Sequence, residues 1–411
     1  MSDTEVPVLG GMLPAGWSRA MLSQVTSKVG SGATPRGGSS VYVDSGVTFI
    51  RSQNIHDHSF KRAGIAYIDD ESAHKLRAVE VAAGDVLMNI TGDSILRTTL
   101  VDPNVLPARV NQHVAILRSN GEVEPRFLQK WLSLPAMKEY MLGHSSGGTR
   151  KAVTKAHILS FPIPLPPLDE QNRIATTLGA LDGKIESNHR QIETIFSIVE
   201  GLGRIEAKNT PRTVLSNIST LQRKASPIAR LAGSLVDHYS LPAFDIDAHP
   251  VREMADEIKS NKIILETPCV LVSRLNPKTN RTWWVNPSLE VLSLCSTEFA
   301  VLQPAAGIDL AAVWLAVSDN DFQERMRASV TGTSGSHQRV APLTIMRLEV
   351  PDFRTADPSV IKTVADLLSR TDMLKLENVC LAALRNALLP ELLSGKIRTI
   401  EFEDTVEEAL T

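Results

Sequence analysis

The chain comprises 411 residues, 43% of them hydrophobic, with 43 Lys and Arg against 46 Asp and Glu for a formal net charge of −3. That length and apolar content support two or three domains, each with its own core. The slight acidity argues against a protein that coats nucleic acid without regard to sequence, and no apolar run approaches the ~20 residues of a membrane span. The opening MSDTEVPVLGGM is acidic and Gly-rich rather than signal-like, so a cytoplasmic protein is expected. Cys269, Cys295 and Cys380 show neither a CxxC pair nor metal-ligand spacing. They imply no disulfide framework and no zinc site, and read as three buried thiols.

Residues 1–12 read as unstructured, and a first globular arm is expected over 13–165. Strand-like runs VTFIRSQNI (47–55), IAYID (65–69), DVLMNIT (85–91) and VNQHVAILR (110–118) alternate with Gly, Asp and Asn turns. EPRFLQKWLSLPAMKEYML (124–142) has a helical pattern that Pro135 should interrupt or kink. Prolines at 162, 164, 166 and 167 form a stiff, extended lead-in to a first long helix over 166–208. Pro167 suits a first helical position, and Asp169 and Glu170 lie beside the positive end of the helix dipole. The apolar positions Ile174, Leu178, Leu181, Ile185, Ile192, Ile195, Val199 and Leu202, with Asn188 in the one gap, follow the four-three spacing of a coiled-coil seam. At ~1.5 Å per residue this is a rod about 50 Å long, which needs a partner helix.

Residues 209–225 read as a connection, and a second arm is expected over 226–352. It carries a strand-rich block (259–287), the run FAVLQ and a helix at about 309–328. A second long helix over 353–398 has its seam at Val360, Val364, Leu367, Leu374, Leu381, Leu388 and Leu392, with Thr371, Asn378 and Arg385 at polar positions. Pro390 should break it, and 399–411 reads as a loose acidic tail.

The chain is one unit written twice. Gly148, Thr149, Val153, Ile158, Ile163 and Pro164 match Gly335, Ser336, Val340, Ile345, Val350 and Pro351 at a fixed offset of 187. After a further shift of three, Ala175, Leu178, Asp182 and Asn188 fall on Ala365, Leu368, Asp372 and Asn378. Upstream, VAILR (114–118) has a looser counterpart in FAVLQ (299–303).

The doubled plan, the opening LPAGW with SGATP, and above all PIPLPPLDEQNRIATTLGALDGKIESN resemble the DNA-specificity subunit of type I restriction-modification systems. EIKSNK, VLVSRLNP and LLPELLSGKI in the second half are similar to that family as well, so the resemblance spans about 13–397. One departure is PDFRTADPSV, which stands where the first repeat has PLPPLDEQNR. The resemblance implies an α+β or α/β fold with two similar target-recognition domains, separated by two long antiparallel coiled-coil helices in an internal pseudo-two-fold repeat. It further implies a noncatalytic reader of double-stranded DNA, each domain taking one half of a bipartite asymmetric site while the helices set the spacer. Two adenine-methyltransferase subunits would dock on it and restriction/translocase subunits would join. S-adenosylmethionine, Mg and ATP would then be bound by those partners, with no cofactor, metal or catalytic residue in this chain.

The residues themselves agree. An Asn/Asp-Pro-Pro-aromatic methylation loop is missing, VDPNVLP (101–107) being the nearest imitation, and GHSSGGTRK lacks the P-loop spacing. Base edges are read by Arg, Asn and Gln, while Lys, Ser, Thr and backbone amides hold phosphates. Candidates in the first arm are Arg51, Ser52, Gln53 and Asn54; Asn89 and Thr91; and Ser145, Ser146, Gly147, Gly148, Thr149, Arg150 and Lys151. In the second arm they are Lys259, Asn261 and Lys262; Arg274, Asn276, Lys278 and Arg281; and Thr333, Ser334, Ser336, His337, Gln338 and Arg339. Contact is favoured for the two Gly-Ser-Thr loops because they recur at equivalent places. The strand-end sets fit contact and a solvated turn equally. His56, Asp57 and His58 offer too few ligands for a metal and read as a solvated turn, and Trp283 and Trp284 as core. Asn188 and Asn378 are candidates for fixing helix register. The competing reading is a coiled-coil scaffold whose arms bind protein or ligand rather than DNA.

Overall fold

The computed structural model describes residues 5–6, 11–143, 152–330 and 338–398. They fall into two units, 1–186 with 380–411, and 187–379. The first long helix, Leu168–Ala207, and the second, Pro358–Leu393, each contribute one segment to each unit.

In the first unit a four-stranded sheet runs in the order Thr98–Leu100, Val86–Asn89, Val114–Ser119, Thr26–Ser31, all antiparallel. Successive strand residues face opposite sides, and both sides are covered, which is why Val86, Leu87 and Met88 are all apolar and fully buried. Val86, Met88, Ala115 and Leu117 pack with Phe127 and Trp131 of the helix Pro125–Ser133 and with Ile174, Ala175 and Leu178 of the first long helix. Leu87 and Ile116 face the other way, toward Ile50 and Val110 of a five-stranded mixed sheet. Its order is Glu80–Val81, Ala108–Val110, Val47–Ile50, Ala66–Ile68, Tyr42–Val43, with one parallel pairing. Leu134 is the break that Pro135 demands between Pro125–Ser133 and the next helix, Pro135–Gly143. Among the described residues Pro162–Leu165 pairs only with Ser18–Met21, a two-stranded ribbon that tolerates prolines.

The second unit repeats this plan. Its four-stranded sheet runs Thr282–Val285, Cys269–Ser273, Phe299–Pro304, Ser219–Gln222. Val270, Val272, Ala300 and Leu302 face Trp314 and the long helices, and Leu271, Val301 and Phe299 face the five-stranded sheet. That sheet shares a four-strand core with the first, Lys262–Leu265, Leu292–Ser296, Leu235–Tyr239, Val251–Met254, again with one parallel pairing. The edge strand differs: Ala225–Ser226 joins at the Lys262–Leu265 end, whereas Tyr42–Val43 joins at the opposite end.

Several expectations are corrected. Glu5–Val6 pairs with Gly11–Met12 inside the stretch read as unstructured. Residues 209–225 are not a connection. Arg212–Val214 pairs with Glu349–Pro351, as Ser18–Met21 does with Pro162–Leu165, and Ser219–Gln222 enters the sheet. The helix at 309–328 is two, Leu310–Ser318 and Asn320–Ala328, because Ser318, Asp319 and Asn320 favour a break over a helix interior. Pro390 lies inside the second long helix. The ~3 kcal/mol cost of an interior proline is outweighed by Leu389, Leu392 and Leu393, all buried in the first unit's core. Cys380 is exposed while Cys269 and Cys295 are buried. Nor is the seam a strict four-three stripe: Leu181, Ile185, Leu367 and Leu381 are half-buried, whereas Ala175, Ile361, Leu368 and Leu389 are buried. Each helix covers a sheet as well as its partner, which widens the apolar face.

Candidate nucleic-acid interface

The first arm's turn 51–64 is tied into one hydrogen-bonded piece. Asn54 is fully buried; its Oδ1 accepts from the Arg51 amide at 3.0 Å and its Nδ2 donates to the Lys61 carbonyl at 3.0 Å. Asn89, also fully buried, donates to the Ser52 carbonyl at 3.0 Å and to Ser94 Oγ at 2.9 Å. These two amides hold the backbone and are not open to base edges, a correction to their reading as contacts. Gln53 is exposed and Arg51 and Ser52 half-buried, with Arg51 Nη2 donating to the Gly64 carbonyl at 2.6 Å and its guanidinium 5.5 Å from the Tyr42 ring centroid.

The Gly-Ser-Thr loops themselves, with Ser145, Ser146, Gly147, Gly148, Thr149, Arg150 and Lys151 in one and Thr333, Ser334, Gly335, Ser336 and His337 in the other, lie outside the described residues. Where they end is described, and it is the same place twice. Half-exposed Thr91 bridges to Ala152, and Leu275 to Arg339. The Val153 amide donates to the Ile90 carbonyl and the Val340 amide to the Arg274 carbonyl, both at 3.0 Å. Gly92 and Asn276 follow with φ of +82° and +50°, the left-handed turn that favours Gly and Asn. Around the second anchor, Arg339 holds Glu298 bidentately at 3.0 and 2.9 Å and keeps its carboxyl below the usual range. Half-exposed Gln338 accepts from the Asn276 amide through its carbonyl at 2.9 Å, and Arg274 has a buried Nε without a partner. Lys259, Asn261 and Lys278 are exposed. Lys262 is buried, donating to Ser260 Oγ at 2.6 Å, and Arg281 is paired with Asp245 at 2.6 and 2.9 Å, so neither presents an open cation. Trp283 and Trp284 are buried as expected.

A charged cluster that the sequence reading passed over joins the first arm to its helix segments. Asp182 of the first long helix binds Lys130 of Pro125–Ser133, and accepts from Arg385 of the second long helix at 2.8 Å. Lys130, 4% exposed, also lies 3.2 Å from His58 Nδ1, and Asp57 accepts from Lys138 at 2.5 Å. His56, Asp57 and His58 are thus a docked turn, not a solvated one. In the second unit the equivalent carboxylate, Asp372, accepts from Asn286 at 2.8 Å and has Lys375 one turn on; burial raises it to about 6. Asn188 and Asn378, in the same unit, meet side chain to side chain at 2.8 Å. The signal for Asp182 and Asp372 was their shared place in the repeat, which gave no hint of their partners.

Residues 49–196 match the family model of the type I restriction modification DNA specificity domain. The chain is 24% identical over 197 residues to the type I restriction enzyme EcoBI specificity subunit of Escherichia coli. It is 29% identical over 195 residues to a protein named as the type I restriction enzyme MjaX specificity subunit of Methanocaldococcus jannaschii. Those matches cover 46% and 45% of this chain and 40% and 41% of the relatives, so the likeness spans about two fifths of the relatives' length. The fold is that of the type I restriction-modification S subunit of M. genitalium, with a TM-score of 0.58 at 15% identity over 94% of this chain and 99% of that one. By family match and by its relatives, the chain is similar to type I restriction-modification specificity subunits. No helix among the described residues is long and apolar enough to cross a membrane.

Proposed function

We propose that this chain is the noncatalytic sequence reader of a type I restriction-modification complex, each arm reading one half of a split, asymmetric site in double-stranded DNA. One observation carries the reading: both arms build the same two-sheet body and anchor a Ser/Gly/basic loop at the same strand end, through Thr91 with Ala152 and Leu275 with Arg339. Two like readers in one chain suit two segments of one duplex, with phosphates positioned by the loops and bases read by side chains at the strand ends. The long helices set the unread spacer. Met373, Leu376 and Val379, 62%, 58% and 44% exposed on the second of them, support the docking of methylating subunits there. Methylation and cleavage belong to those partners.

Replacing residues 13–165 by the first arm of another specificity subunit, and mapping methylated adenines in cells that also express the methylating partner, tests the reading. One half of the methylated sequence should change and the other should stay. A change in both halves, or in neither, would sink the modular reading, and methylation independent of this chain would favour the protein-binding scaffold.

A further inference from the structure

We propose that His58 is the positioning residue of the first arm's reading turn, pinning residues 51–64 to the long helices through an imidazole acceptor for Lys130. The inference rests on the DNA-reading function proposed above and adds a residue to it. A lysine ammonium has only donors, so the 3.2 Å contact from Lys130 Nζ requires His58 Nδ1 to accept and places the ring proton on Nε2. The ring sits 3.9 Å from Asp182, which also carries Lys130 and Arg385, so one carboxylate already serves two cations. A third positive charge has no counter-ion there, and the imidazole is held neutral. Burial and Lys130 bring its pKa down to about 4.

The backbone shows that this residue is forced into place. His58 adopts φ +65°, in the left-handed region that L side chains rarely enter. Its neighbour Asp57 is fixed as well, accepting from the Thr98 amide at 3.1 Å and from Lys138. The two residues are the tip of a hairpin, Ile55–His56 paired with Ser59–Phe60. Asn54 lies at the base of that hairpin, hydrogen-bonded to Lys61 across it, and Arg51 and Gln53 both donate to the Gly64 carbonyl. Movement at the tip therefore moves the side chains offered to DNA. Among the described residues the second arm has no such hairpin at the equivalent place: Leu235–Tyr239 is followed by the helix Leu241–Asp247. The second half-site is an internal control.

Two substitutions separate positioning from backbone need. His58→Gly accepts the left-handed φ without strain but removes the acceptor. His58→Asn tolerates the same φ and puts Oδ1 where Nδ1 stood. We expect His58→Gly to speed amide exchange of residues 51–64 in the free chain, and to relax discrimination against mismatches in the first half-site, each by roughly tenfold, the size of one lost buried hydrogen bond. The second half-site should be unaffected, and His58→Asn should restore both readouts. Exchange unchanged in His58→Gly overturns the inference, as does an equal loss at both half-sites. Faster exchange with unaltered discrimination overturns the role in reading. A wild-type chain that imparts no sequence dependence to methylation defeats the proposed function instead, while the exchange experiment still decides whether His58 positions the turn.

Discussion

Asp182 and Asp372 occupy one position of the repeated helix and have come to opposite solutions. In the first unit the carboxylate is shared by Lys130 and Arg385, with a neutral histidine filling the remaining side. In the second it meets an amide, Asn286, and a lysine on its own helix whose ammonium is buried above the Phe196 ring at 5.8 Å. The repeat preserves the carboxylate at the junction of arm and helix; the partners have diverged with the arms. A buried ion pair adds little net stability compared with an apolar filling, but a broken one is costly. The first junction is therefore intolerant of loss, whereas the second rests on one hydrogen bond to a carboxylate whose burial disfavours its charge.

Matched isosteric substitutions give the widest separation. Asp182→Asn leaves buried Lys130 and half-buried Arg385 without a counter-charge and should destabilise the chain by about 3–5 kcal/mol. Asp372→Asn keeps the acceptor for Asn286 and removes a carboxyl whose charge burial disfavours, leaving Lys375 the field of Asp247, so its effect should be smaller, within about 2 kcal/mol. Denaturant unfolding of the two variants checks this. Equal losses would show that the two junctions are energetically alike despite their partners. Replacing Lys130, Asp182 and Arg385 together by apolar residues should recover most of the loss.

Acid pulls the two units in opposite directions. His58, facing Lys130, Asp182, Arg385 and Asp57, is held at about 4 when folded, below the usual 6.5 of an imidazole. Its contribution is complete above about pH 6.5 and is lost as pH falls toward 4, on the order of 3 kcal/mol in all. Asp372, facing Lys375 and Asn286, is raised to about 6 from 3.8. It contributes below about pH 4 and loses that contribution as pH rises through 6. Between about pH 7 and pH 5 the first unit should weaken and the second strengthen, in the order of their amide-exchange protection corrected for intrinsic rates. His58→Asn should abolish the first trend and Asp372→Asn the second; parallel trends in both units would break the contrast.

Much of the fold is legible in the sequence because long-range order here repeats. The offset of 187 that joins Val153 to Val340 reappears in space as Thr91–Ala152 and Leu275–Arg339, and the long helices announce themselves by apolar spacing. What escaped had no local signature. Ser219–Gln222 is a strand because Phe299–Pro304 offers it an edge, not because TLQR alternates. Pro390 stays helical because of its leucine neighbours' burial. Among the candidate contacts, Asn54 and Asn89 have the chemistry of base readers, but satisfying turn backbone uses the same amide. Lys130 looks like an ordinary surface cation, and Arg385 like a polar break in the seam, until tertiary structure closes around Asp182.

The other repeated polar residue sharpens the comparison, since its two copies share one place. Asn188 and Asn378 meet within the second unit, Asn188 Nδ2 donating to Asn378 Oδ1 at 2.8 Å and to Glu377 at 2.9 Å. Asn188 is fully buried and Asn378 9% exposed. The pair is half-satisfied, for Asn188 Oδ1 and Asn378 Nδ2 are buried without partners. Asn188→Leu alone strands a second group of Asn378 and should cost about 1–3 kcal/mol, with Asn378→Leu close behind. Replacing both removes every stranded group and should return stability to within about 1 kcal/mol of the parent, a positive coupling in the double-mutant cycle. An Asn in a seam commonly fixes register at a cost in stability, so the double variant should keep its stability yet lose uniqueness, giving broadened or doubled signals for helix amides near 188 and 378. Additive losses in the cycle would instead make the two asparagines independent of each other, and a sharp single spectrum for the double variant would show that the arms alone hold the helices in register.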